Sequence, residues 1–226
     1  MTELDHHLGR LIGFLKDSGA YDNTLIVFTS DHGEQLWDHW VLGKQIYFDQ
    51  SFRIPLIIRA PGGAADRGRG RVVKAFSESI DIMPTVLDLL DLDIPLQCDG
   101  ASLRPFLAGQ NPEGWRTEVH WELDFRDVVH GKAQAELGIG LDDCSLTVIR
   151  DERYKYVHFA ALPPLFFDLE RDPGEGDNLA ADPDHASRVL TYAQKMLSWR
   201  LTHAERTLTG IRLNPQGPIE IPRAER

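Results

Sequence analysis

Thr24-Leu25-Ile26-Val27-Phe28-Thr29-Ser30 runs straight into Asp31-His32-Gly33-Glu34. The first seven residues are almost wholly apolar and β-branched, with no polar alternation, which is how a strand buried on both faces of a parallel sheet reads. Upstream, Leu4, Leu8, Leu11 and Leu15 recur at steps of four, three and four, with Ile12 beside them. Residues 2–19 therefore read as an amphipathic helix, with Thr2 as its cap and Gly19 at its C-terminal end. Tyr21-Asp22-Asn23 is a turn. Downstream, Ile54-Pro55-Leu56-Ile57-Ile58-Arg59 repeats the strand pattern and is stopped by Pro61-Gly62-Gly63. Helix then strand, twice over, is the rhythm of an α/β protein.

Further along, residues 81–92 read as a helix whose Pro84 fits the first turn, where a missing N–H costs little. Residues 102–107 read as a short helix. Near residue 113 the character changes. Short strand patterns at 117–125, 145–150, 154–159 and 165–169 have no helix long enough to cross over between them. The hairpin-sized link Asp151-Glu152-Arg153 makes this part antiparallel. Residues 183–206 read as a last helix, with Val189, Ala193, Met196 and Leu197 turned inward. Residues 213–226 contain three prolines and are expected to extend or dock on a neighbour. The expected organisation is an α/β core over 1–113 and a small antiparallel-sheet subdomain with a C-terminal helix and tail over 114–226.

Composition narrows the function classes. The 226 residues are 42% apolar, and 24 basic against 35 acidic side chains leave a formal charge of −11. Such a chain buries a real core, and it lacks the basic footprint that phosphate backbones demand, so neither nucleic acid nor an acidic membrane is an expected partner. No apolar run approaches the ~18–20 residues of a membrane span. Residues 1–5 lack the layout of a signal peptide, and Cys98 and Cys144 read as reduced thiols, so a cytoplasmic location is expected.

The chemistry concentrates after the first strand. Ligands of open α/β sheets sit at the carboxyl ends of strands, where Asp31 and His32 stand. A carboxylate beside an imidazole suits a divalent cation with mixed oxygen and nitrogen ligation: Mn²⁺ first, with Ca²⁺ or Zn²⁺ as alternatives. Gly33 would let the chain turn away so that the two neighbours converge. Lys44 would offer fixed positive charge to an anionic substrate. The same residues also admit a plain role, with Asp31 capping a turn, His32 bonded locally and Lys44 solvated. Two donors do not complete a metal site. Glu34 and Asp38 read as a solvated loop rather than an acid–base pair, and His39 as a loop residue. His6 and His7 diverge by about 100° on a helix and cannot chelate together. Arg67, Arg69 and Arg71 read as a flexible surface loop. Trp115, Trp121 and Trp199 read as core anchors, and both cysteines as structural.

The run from Asn23 to Glu34, with Gly43-Lys44, Ile54-Pro55-Leu56, Ser79-Ile80-Asp81-Ile82-Met83-Pro84-Thr85 and Asp99-Gly100-Ala101-Ser102-Leu103, resembles the C-terminal half of the sulfatases, in the alkaline phosphatase superfamily. Phe125-Arg126-Asp127, Asp142-Asp143-Cys144-Ser145-Leu146 and the stretch from Tyr154 through Pro163-Pro164 to Asp168 resemble the phosphonate monoester hydrolases, which are also phosphodiesterases. The resemblance implies a metal-dependent hydrolase of small anionic esters, in which Asp31 and His32 ligate a divalent metal and Lys44 contacts the substrate's anionic oxygens. It implies a large mixed sheet between helices, followed by a small antiparallel sheet, and a homo-oligomer.

One departure is large. The family's nucleophile is a formylglycine made from the cysteine of a Cys-x-Pro-x-Arg motif. Here Cys98 precedes Asp99-Gly100-Ala101 and Cys144 precedes Ser145-Leu146-Thr147. The expectation is a C-terminal fragment without that nucleophile, Met1 matching an internal position of longer relatives, and no activity alone. A non-catalytic oligomerisation or binding module and a sulfatase proper are the alternatives.

Overall fold

The computed structural model describes residues 2–44, 46–95, 97–203 and 211–220. The chain divides into two compact units: one of residues 1–45, 49–94 and 100–115, the other of residues 46–48, 95–99 and 116–226.

In the first unit, helix α1 (Thr2–Asp17) begins with Thr2 as a helical residue rather than as the cap before it. It ends where Gly19 takes a left-handed φ of +73°, the usual office of a glycine past a helix end. Its apolar stripe buries no residue. Strand β1 (Ile26–Thr29) follows, then the hairpin of β2 (Gln35–Leu36) and β3 (Leu42–Gly43), the four-residue helix α2 (Asp49–Phe52) and strand β4 (Leu56–Arg59). β1 pairs with β4 from Ile26↔Arg59 to Thr29↔Leu56, and the pair is antiparallel. The parallel expectation is thus corrected. A parallel neighbour needs a crossover of a dozen residues or more, usually helical, and the link from β1 to β4 carries only a hairpin and one helical turn. An all-apolar run does not encode strand direction. Nor is β1 buried on both faces: Ile26, Val27 and Phe28 are half-buried and Thr29 is exposed.

The rest of this unit is braced by polar side chains. Asp81 is wholly buried ahead of α3 (Ile82–Leu89). Its Oδ2 accepts the Glu78 amide and its Oδ1 the Ala101 amide, both at 2.8 Å. Thr85 donates to the Asp81 carbonyl at 2.6 Å and accepts the Leu103 amide at 2.8 Å. Gly100 is a packing glycine, because a Cβ there would lie 2.1 Å from the Ile80 carbonyl oxygen. Helix α4 (Arg104–Leu107) is shorter than the expected 102–107, and Arg104 ties Asp88 and Asp91 together at 2.9 Å each. The arginine loop is not a free one. Arg69 binds Asp66 at 2.6 Å and the Gly62 carbonyl at 3.1 Å, while Arg71 holds the Gln110 carbonyl at 3.0 Å.

The second unit is built on an antiparallel meander of β5 (Glu118–Asp124), β6 (Ser145–Asp151), β7 (Tyr154–Phe159) and β8 (Leu165–Asp168), in the order 5-6-7-8. Helix α5 (Lys132–Leu137) lies in the connection before β6. The β6–β7 hairpin closes because Asp151 Oδ1 accepts the amides of Arg153 and Tyr154 at 2.9 and 2.7 Å. Alternation assigns the two faces. Ile149, Tyr154, Tyr156 and Phe166 form one face, covered by α6 (Ala186–His203) through Tyr192 and Met196. Burying each of those two is worth roughly 1.5–3 kcal/mol. The helical stripe is therefore Val189, Tyr192, Ala193 and Met196, whereas Leu197, expected inside, faces solvent.

Leu146, Val148, Val157 and Phe167 form the other face. Tyr47 packs there, its ring 6.0 Å from Phe167 and 6.2 Å from Phe159. Lys155 points to the same side. Its Nζ lies 2.7 Å from Glu175 Oε2, 3.3 Å from the Tyr47 carbonyl and 5.3 Å from the Trp121 ring centre. The Lys155 and Glu175 side chains are 0% and 2% exposed. Trp199 is half-buried, stacked 4.3 Å from His120. After α6, β9 (Ile211–Asn214) and β10 (Gly217–Glu220) form a two-stranded hairpin within the expected tail, while residues 221–226 lie outside the described residues, as do 204–206 of the expected helix. No helix among the described residues is long and apolar enough to cross a membrane.

Candidate metal-binding edge

Asp31 and His32 leave the end of β1 together. Ser30 Oγ donates to the His32 carbonyl at 2.7 Å, and the His32 amide donates to Asp31 Oδ1 at 3.0 Å, so the backbone here is curled on itself. The turn brings Asp31 Oδ2 to 3.4 Å from His32 Nε2. His32 Nδ1 lies 2.6 Å from the Gly33 carbonyl. A carbonyl only accepts, so Nδ1 carries the proton, and in the neutral ring Nε2 presents a lone pair. Two acceptors then face one another across 3.4 Å, an arrangement that is favourable only with a proton or a cation between them.

That geometry fits a divalent ion. Two donors at about 2.1 Å from one cation stand ~3.4 Å apart at the tetrahedral angle, and donors at about 2.4 Å stand as far apart at a right angle. The spacing accommodates Zn²⁺ and Ca²⁺ alike and does not select the metal. The Nδ1–carbonyl bond is the outer contact that orients metal-ligating imidazoles. Asp31 is ionised to receive a cation. Some desolvation pushes its carboxyl up, but the His32 amide, the His32 ring and the Lys44 charge outweigh it and hold the group below the usual carboxylate range. The side chains of Asp31 and His32 are 82% and 33% exposed, so the edge is open to solution.

Gly33 has a role different from the expected one. Its φ is not in the left-handed region, and what requires glycine is close approach: a Cβ would lie 2.0 Å from the Gln50 carbonyl oxygen. The Gly33 amide also donates to the Ser51 carbonyl at 2.8 Å, fastening the edge to α2. Glu34 is a fastener as well, its Oε1 accepting the Gly43 amide at 2.7 Å across the β2–β3 hairpin. Lys44 follows that hairpin and is exposed; its charge reaches Asp31. The hairpin is strained at Trp37, His39 and Trp40, all at positive φ. Asp38 is exposed and His39 half-buried there.

Three contributors escape a reading by residue type. Ser30 sets the curl, and nothing but its position beside Asp31 signals it. Gly33 provides the contact with Gln50. Gln35 is wholly buried, and neither end of its amide has a partner among the described residues. Outside this edge, His6 and His7 lie exposed on α1. Cys98 and Cys144 are free thiols, and burial pushes the Cys144 thiol up, away from nucleophilic chemistry. Among the described residues no group of three or more His, Cys, Asp or Glu could hold a metal, so Asp31 and His32 form a two-donor edge.

Residues 1–92 match the sulfatase family. The multifunctional alkaline phosphatase superfamily protein PehA of Trinickia caryophylli is 58% identical over 217 residues, covering 96% of this chain and 42% of that protein. An arylsulfatase of Clostridium perfringens is 31% identical, covering 92% and 40%. Among solved structures, the phosphonate monoester hydrolase of Agrobacterium radiobacter superposes with a TM-score of 0.88 at 50% identity, over 97% of this chain and 43% of that one. That of Silicibacter pomeroyi superposes with 0.87 at 42% identity, over the same shares. The chain spans about two fifths of the length of these relatives. Its fold is that of the alkaline phosphatase-like sulfatases. The sulfatase match thus takes in residues 1–92, and nearly the whole chain is similar to about two fifths of an alkaline phosphatase superfamily protein and of phosphonate monoester hydrolases.

Proposed function

We propose that the chain carries one edge of the active site of a metal-dependent hydrolase acting on phosphonate monoesters and phosphate diesters. The observation that carries this reading is the facing pair, Asp31 Oδ2 and His32 Nε2 at 3.4 Å, with the imidazole's other nitrogen tied to Gly33. Asp31 and His32 hold a divalent cation, Mn²⁺ in the first instance. Bound there, it supplies Lewis acidity toward an ester's anionic oxygens. Lys44 offers fixed positive charge to the same oxygens. The Asp31 carboxyl, held below the usual carboxylate range, is ionised at neutral pH and so ready to accept a cation. Cys98 and Cys144 supply no activated nucleophile, and the isolated chain is therefore inactive. A sulfate-ester hydrolase is the second reading, supported by the arylsulfatase relative. The reading includes a homo-oligomer and a cytoplasmic location, which the two free thiols support.

Titrating the 226-residue chain with Mn²⁺, followed by its electron paramagnetic resonance, tests the edge. Weak one-site binding is expected, lost in Asp31→Asn and in His32→Ala. Equal binding by the parent and both variants overturns the assignment, and metal-dependent turnover of a p-nitrophenyl phosphonate ester overturns the inactivity.

A further inference from the structure

Helix α6 has two apolar sides, and the meander covers one of them. Tyr192 and Met196 are buried there, whereas Leu190, Leu197 and Leu201 are 59%, 60% and 66% exposed. At about 100° per residue, these leucines and the exposed Gln194 fall within about 60° of one another, on the side away from Tyr192. The nearest charged side chain, Arg200, lies about 90° from the middle of that stripe. A helix side meant for water carries charge; a leucine stripe without charge is the seam of a helix pair.

We propose that this stripe pairs α6 with α6 of a second copy of the chain, antiparallel, across a two-fold axis. The spacing identifies the occupant. Leu190, Gln194, Leu197 and Leu201 are separated by steps of four, three and four, which read the same from either end. An axis between Lys195 and Met196 therefore sets Leu190 against Leu201, and Gln194 against Leu197, of the partner subunit, so the surface is complementary to itself. Ala193 and Ser198 flank the stripe and are small enough to let the two helix axes close to ~8–10 Å. With these flanks, the exposed leucines of two copies cover ~1,000 Å² in the pair, the size at which a specific interface begins. Charge favours the same occupant. Chains at −11 repel one another, but α6 carries Arg188, Lys195 and Arg200 with no Asp or Glu, and two of these bases are bound to Glu118 and Glu122. A second acidic copy thus meets a nearly neutral surface here. The pairing gives the homo-oligomer of the proposed function its surface and rests on that part of the reading alone, not on the Asp31–His32 edge.

Analytical ultracentrifugation of the 226-residue chain over a concentration series tests the pairing, with Leu190→Lys and Leu201→Glu as variants. Both positions are exposed on a helix, and amide exchange in β6 and β7 equal to the parent's shows that the variants fold. Expected are a dimer of the parent and dissociation constants at least about tenfold higher for each variant alone. An equal mixture of the two variants regains most of that loss, because the antiparallel register brings their opposite charges together at one end of the seam. A parent that stays monomeric overturns both the pairing and the homo-oligomer. An oligomer that neither variant weakens, or a mixture no tighter than the variants alone, overturns the pairing and leaves the homo-oligomer standing.

Discussion

Replacing Lys155 by Met tests what holds the second unit together. Lys155 Nζ and Glu175 Oε2 are 2.7 Å apart with both side chains out of solvent. At an effective dielectric of 20, their attraction is ~6 kcal/mol. Desolvation costs several kcal/mol for each ion, so the net gain of the intact pair is small. Removing one partner is another matter. Lys155→Met takes the Lys155 charge away from the buried Glu175 carboxylate and the 3.3 Å donor away from the Tyr47 carbonyl, a loss of about 3–5 kcal/mol. The double variant Lys155→Met with Glu175→Leu removes both charges and recovers at least ~2 kcal/mol of that loss. Urea unfolding gives the totals, and amide exchange across β6 and β7 locates them in the second unit. A single variant costing less than ~1 kcal/mol, or a double variant as unstable as Lys155→Met alone, refutes the reasoning, for then the charges are not desolvated together.

Three more outcomes follow from geometry already described. Gly33→Ala forces a methyl group toward the Gln50 carbonyl oxygen, so it costs about 3 kcal/mol in urea unfolding and weakens Mn²⁺ binding; an unchanged midpoint argues against the close approach. Asp81→Ala orphans the Glu78 and Ala101 amides and costs roughly 2–4 kcal/mol, with Asp81→Asn falling between it and the parent. Burial first, then the charges of His203, Lys195 and Arg116, bring His120 down to about 4. Between pH 4 and about 6.5 the unfolded chain binds the extra proton, so stability rises with pH across that window, by up to ~1.4 kcal/mol per unit, and flattens above it. Chemical denaturation from pH 4 to 8 should show this slope reduced in His120→Gln; an identical slope in both proteins excludes His120 as its source.

The antiparallel half of the fold is legible because short strand patterns and the hairpin-sized link Asp151-Glu152-Arg153 leave β6 and β7 no way to cross over. The direction of β1 is not, because β-branched apolar residues suit either neighbour and only the contents of the 30–55 connection decide. Tyr192 displaces Leu197 on the inner face of α6 for a similar reason. Hydropathy favours leucine, but Tyr192 lies on the stripe with Val189, Ala193 and Met196, whereas Leu197 is about 100° past Met196. At the edge, the donor types can be read directly from Asp31-His32. The proton on Nδ1 and the glycine demanded by Gln50 cannot, since both depend on backbone atoms that sequence does not place.

The placement of Tyr47 has a kinetic side. The Lys155–Tyr47 bond joins groups 108 residues apart, so one face of the meander waits for a segment made long before it. At about 5–20 residues per second on the ribosome, Tyr47 emerges roughly 5–20 s ahead of the strand it packs against. Through that interval its ring is a loose apolar group on a nascent chain, and the slow step of folding should be this distant closure rather than formation of the local β6–β7 turn.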